Sequence, residues 1–74
     1  MSMEKDYKER KRIGERVRQL RIEKGMTQDQ LAELTGLKRP HITRIEAGSY
    51  SVGFDTLQAI ARALDCTVDI IKIL

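Results

Sequence analysis

The segment from Thr27 to Gly48 leaves the chain few choices, because its residues suit two short helices joined by a tight turn at Gly36. Thr27 is a good N-cap, and Gln30 three positions on completes a capping box, so a helix is predicted from about Gln28. Leu31, Ala32 and Leu34 form its expected buried side. Ala32 is small enough for two steeply crossing helices to approach closely. Gly36 accepts positive φ, which ends the first helix and reverses the chain. Pro40 fits the first turn of a second helix, where its missing N–H leaves no bond unmade. Ile42 and Ile45 then recur at helical spacing toward the core, and Gly48 closes the helix. Arg39, His41, Thr43 and Arg44 are left facing outward or sideways, so residues 27–47 have the layout of a helix-turn-helix.

The flanks read as further helices. One is predicted from near Lys5 to Lys24, with Ile13, Val17 and Leu20 as its apolar stripe and Gly25 as its terminator. Another should start after Gly53, with Phe54, Leu57, Ile60, Ala61 and Leu64 at helical spacing over about three turns. Residues 66–74 support two readings. Val68, Ile71 and Leu74 would line one face of a helix, giving a dimer built on helix packing or a monomer. The density of β-branched residues favours a short strand instead. A lone apolar strand has no partner in its own chain and invites pairing with another copy. The strand is the preferred expectation, with Val68, Ile70, Ile71 and Ile73 joining a two-fold homodimer through an intermolecular ribbon.

Seventy-four residues suffice for a single domain, 1–74, with one modest core. No stretch approaches the ~20 apolar residues that span a bilayer. The single cysteine, Cys66, cannot form an internal disulfide and reads as a small buried hydrophobe. A cytoplasmic protein with no membrane partner is expected. One His and one Cys, with no Gly-rich phosphate loop, leave nothing with which to build an active site, a metal centre or a cofactor site. The expectation is therefore a protein that is not an enzyme. Charge is uneven: residues 1–24 carry nine basic against five acidic side chains, the remainder five against six. A phosphate-facing first helix and an ordinary solvated one both fit that run.

Beyond the turn itself, Gln28, Leu31, Ala32, Gly36, Ile42, Ile45, Glu46 and Gly48 keep a fixed spacing to Asp55-Thr56-Leu57, Ile60-Ala61 and Ala63-Leu64. This extended pattern closely resembles the XRE family of DNA-binding domains over roughly residues 13 to 70. The resemblance implies an all-α, lambda-repressor-like bundle of four helices around the helix-turn-helix, followed by the C-terminal segment. It implies double-stranded DNA as partner, with Arg39, His41, Thr43 and Arg44 reaching base edges in the major groove. Thr27, Gln28, Lys38, Ser49, Tyr50 and Ser51 would hold phosphates, which positions a protein without reading sequence. Arg21 and Glu46 match a family ion pair bridging the first and third helices. Three positions depart from the pattern: Lys38 replaces the usual Ser or Thr cap, Ser51-Val52-Gly53 lacks the common Pro, and Asp65 stands where a Gly often ends the fourth helix.

Two functions follow. The first is a sequence-specific transcription regulator, acting as a dimeric repressor on a palindromic site. The alternative is an antitoxin-like subunit that neutralises a protein partner and binds its own promoter.

Overall fold

The computed structural model describes the backbone of residues 3–73 and the side chains of residues 7–71. Five helices follow in order: α1 (Met3–Glu23), α2 (Gln28–Thr35), α3 (Arg39–Ala47), α4 (Phe54–Ala63) and α5 (Val68–Ile73). The capping box forms as the sequence predicts. The backbone N–H of Gln30 donates to Thr27 Oγ1 at 3.0 Å, and the backbone N–H of Thr27 donates to Gln30 Oε1 at 2.8 Å. Thr35 ends α2 by donating its hydroxyl to the Leu31 carbonyl at 2.9 Å, and Gly36 turns the chain at φ 75°.

All four long helices stop in the same way. At the end of α1, α2, α3 and α4 one residue enters the left-handed region, and the following N–H reaches back five residues to close the last turn. These bonds run from Met26 to Arg21, Leu37 to Ala32, Ser49 to Arg44 and Cys66 to Ala61. Glycine occupies the left-handed position three times, but after α4 it is Asp65, at φ 57°. A β-carbon is disfavoured there, and a carboxylate at a helix C-terminus opposes the helix dipole. Asp65 gains only an exposed contact to Lys24 at 3.6 Å, of a kind that contributes little. Asp65→Gly is therefore expected to raise the unfolding free energy by about 0.5–1 kcal/mol. A lower urea midpoint for the variant would show that the turn prefers the aspartate.

The core is one aliphatic cluster that includes Val17, Leu31, Ile42, Ile45, Ile60, Leu64 and Ile71, all essentially inaccessible to solvent. Ile13 and Leu20 complete the predicted α1 stripe at its edge. Two residues assigned to the core are not in it: Leu34 on α2 and Phe54 at the start of α4 are 61% and 64% exposed. Cys66 is half-buried, and burial pushes its thiol pKa up, so it is held as a neutral apolar residue at neutral pH.

The C-terminal segment corrects the preferred sequence reading, since residues 68–73 form α5 and not a strand. Thr67 starts it, its carbonyl accepting from Ile70 and Ile71. Helical spacing turns Ile71 fully into the core and rests Val68 against its edge, burial that an unpaired strand cannot supply. Ile71 is thus spent on its own chain and is not available to a partner. Ile70 stays half-buried, while the Ile73 side chain and Leu74 lie outside the described residues. The intermolecular ribbon loses its basis.

Candidate nucleic-acid interface

Helix α3 is anchored from behind by a charge that its own sequence places on the core side. Glu46 is buried, and its carboxylate accepts a two-pronged bond from Arg21 on α1: Nε to Oε2 at 2.6 Å and Nη2 to Oε1 at 3.0 Å. The third arm of the guanidinium, Nη1, donates to the Met26 carbonyl at 2.7 Å, tying the α1–α2 turn to the pair. The hydrogen bond to Glu46 pushes the Arg21 pKa up against the opposing effect of burial. The charge is therefore fully present at neutral pH, and its contribution to stability is lost only as pH rises through that raised value, in strong alkali.

The network continues outward. Gln28 Nε2 donates to Glu46 Oε1 at 3.1 Å, and Gln28 Oε1 accepts from the Thr43 hydroxyl at 2.8 Å. An unbroken polar chain thus runs from Met26 through Arg21, Glu46 and Gln28 to Thr43 on the outer side of α3. Beside it, Arg39 Nε lies 3.4 Å from Asp29 Oδ1, so the first turn of α2 contacts two residues of the α3 outer face, Arg39 and Thr43.

The sequence-selected residues separate once placed. Arg39, Thr43 and Arg44 are exposed on α3. His41 is not presented with them: it is half-buried, its ring packs edge-on against Tyr50 with centroids 4.5 Å apart, and its Nε2 is buried without a partner. Lys38 is the N-cap of α3 with an extended backbone and no side-chain cap bond, and its side chain is exposed. Thr27 uses its hydroxyl in the capping box, and both atoms of the Gln28 amide are engaged within the protein. The Ser49 hydroxyl donates to the Arg44 carbonyl at 3.3 Å, while Tyr50 and Ser51 lie in the exposed loop that follows.

Three contributors escaped the sequence reading. Asp29 carries no signal of its own, because its contact with Arg39 depends on how α2 and α3 cross. Arg10 donates Nε to the Gly48 carbonyl at 3.3 Å, which fastens α1 to the end of α3. Gly14 lets the two backbones meet, since a β-carbon there would lie 2.7 Å from the Glu46 carbonyl oxygen and closer still to that of Ile45. Among the described residues no group of His, Cys, Asp and Glu is placed to hold a metal, and no helix is long and apolar enough to cross a membrane.

Comparison with known proteins agrees with this architecture. The immunity repressor protein of Bacillus phage phi105 is 39% identical over 59 residues, 80% of this chain and 41% of the repressor. Control protein C.BamHI of Bacillus amyloliquefaciens is 40% identical over 53 residues, 70% of this chain and 65% of that protein. The chain thus spans less than two thirds of either relative. The crystal structure of the restriction-modification controller protein C.AhdI from Aeromonas hydrophila superposes with a TM-score of 0.85 at 34% identity, covering 88% of this chain and 94% of that one. The helix-turn-helix family model matches residues 17–71, from the middle of α1 into α5. With the turn, the capped helices and the braced α3 all inside that range, the chain belongs to the helix-turn-helix family.

Proposed function

We propose that this chain is a double-stranded DNA-binding transcription regulator that reads base edges in the major groove with α3. The observation that carries the reading is that α3 is locked on its inner side through Glu46 while Arg39, Thr43 and Arg44 stay exposed on it. A rigid helix with exposed polar side chains on its outer face is what direct readout requires. Arg39 and Arg44 each suit a guanine, through its O6 and N7 atoms, and Thr43 suits a thymine methyl. His41 acts through Tyr50, shaping the loop after α3, and makes no base contact of its own. Lys38, Ser49, Tyr50 and Ser51 approach phosphates, together with the backbone N–H groups at the start of α2, which point their partial positive charge outward. Gln28 braces Thr43 and Glu46 first and touches phosphate second. The similarity to a phage immunity repressor supports repression as the outcome of binding.

A domain of this size gains affinity and a palindromic target by acting as a homodimer, with two α3 helices about one DNA turn apart, ~34 Å. Selection of bound duplexes from a randomised pool at near-physiological salt tests both points. The parent should enrich a guanine-containing inverted repeat, and Arg39→Ala/Arg44→Ala should not, each arginine contributing about 1–3 kcal/mol of discrimination. A single half-site would replace the dimer by a monomer. Equal, salt-sensitive retention of every duplex by both proteins would reduce binding to phosphate attraction and turn the search to a protein partner.

A further inference from the structure

Arg39 is not loose in solvent in the free protein. Its Nε lies 3.4 Å from Asp29 Oδ1, and Asp29 sits in the first turn of α2 next to Gln28, which holds Thr43 at 2.8 Å. Two successive residues of α2 therefore engage two outward side chains of α3. Both members of the charged pair are mostly exposed, 61% for Arg39 and 77% for Asp29, so the pair adds little to stability and its consequence is orientation.

We infer that Asp29 is a specificity-determining positioning residue: by holding Arg39 through Nε, it aims the guanidinium at a base edge. The chemistry is self-consistent. A guanidinium has five N–H donors, and an ion pair at its Nε edge leaves the four on the terminal nitrogens free. Two of these suffice for the paired O6 and N7 acceptors of guanine. A long side chain already held in place loses less freedom on binding, so the correct base gains while the others do not. Asp29 also exerts an opposite, sequence-blind effect, since its negative charge lies where phosphates approach. Orientation and repulsion therefore move two different readouts.

The inference rests on α3 being the base-reading helix, so the test must distinguish its failure from the failure of that reading. The parent, Asp29→Asn, Arg39→Ala and the double variant are each run on a randomised duplex pool. They are then titrated on the recovered operator and on single-base variants of it. Asp29→Asn should weaken discrimination at the base pair that Arg39→Ala also affects, by roughly three- to tenfold, and only while Arg39 is present. Binding to unrelated duplexes should rise slightly, because a charge facing phosphate has gone. If Asp29→Asn strengthens binding to every duplex by one factor and leaves discrimination unchanged, Asp29 is only a repulsive charge and the inference fails. If the parent enriches a sequence whose preferences survive Arg39→Ala, the inference fails while α3 remains the reader. No enriched sequence for the parent removes the reading of α3 and this inference together.

Discussion

Arg21→Ala is expected to destabilise the domain by about 3–5 kcal/mol, a large part of what a chain of this length possesses. The loss does not come from the strength of one ion pair in water. It comes from leaving the Glu46 carboxylate buried with only Gln28 to bond it, and from freeing the Met26 carbonyl. Arg21→Lys should recover only part of the loss, because a point charge cannot reproduce the paired bonds to Oε1 and Oε2 while also reaching Met26. The decisive variant is Arg21→Met/Glu46→Leu, which removes both charges and keeps the volume. If the cost of the single variant is an uncompensated charge, the double should be more stable than Arg21→Ala by about 1–3 kcal/mol. Urea denaturation of all three decides it. A change below about 1 kcal/mol for Arg21→Ala would mean that water enters and solvates Glu46. On the proposed reading, Arg21→Ala should also lose base preference before overall DNA affinity, because Glu46, which holds Gln28 beside Thr43, would no longer be fixed by the guanidinium.

The helix-turn-helix was legible because its information is local. A capping box, a positive-φ glycine and a proline at a helix start are each decided within four or five residues, and the structure contains all three at Thr27–Gln30, Gly36 and Pro40. Glu46 was legible only through the family resemblance, since a glutamate on a helix facing the core is otherwise an anomaly.

Failures arose where tertiary geometry decides. The β-branched run of residues 67–73 has strand propensity, but one short strand has nothing to pair with, whereas a helix buries Ile71 completely. Leu34 and Phe54 have the spacing of core residues and lie just beyond the edge of what their helices cover. His41 has an outward position in the helical register, yet Tyr50 from the next loop folds over it. The Asp29–Arg39 contact joins residues ten positions apart on two helices, and no periodicity reports it.

Gly14 has the largest unread effect, and its sign is the reverse of the usual rule. Glycine inside a helix ordinarily weakens it, so Gly→Ala at an exposed interior site gains about 1 kcal/mol. Gly14→Ala should instead lose about 2–3 kcal/mol, near the upper range for an overpacked contact. The added β-carbon would meet the Ile45 and Glu46 carbonyls, which are backbone atoms of α3 and cannot rotate aside. Nor can α1 slide past them, because one turn earlier on α1 the Lys11 backbone meets Gly48, the residue that ends α3, 2.6 Å from where a β-carbon on Gly48 would stand. The remaining escape is to lift α1 from α3, which strains the 2.6 Å bond between Arg21 and Glu46 further along the same face. Gly53→Ser is the control: nothing lies within 4 Å of that site, and serine is a preferred N-cap for α4, so it should be neutral or stabilising. Thermal and urea denaturation should show a loss for Gly14→Ala and none for Gly53→Ser. A Gly14→Ala protein as stable as the parent would mean that α1 and α3 are held by their side chains, with room between the backbones for a methyl group.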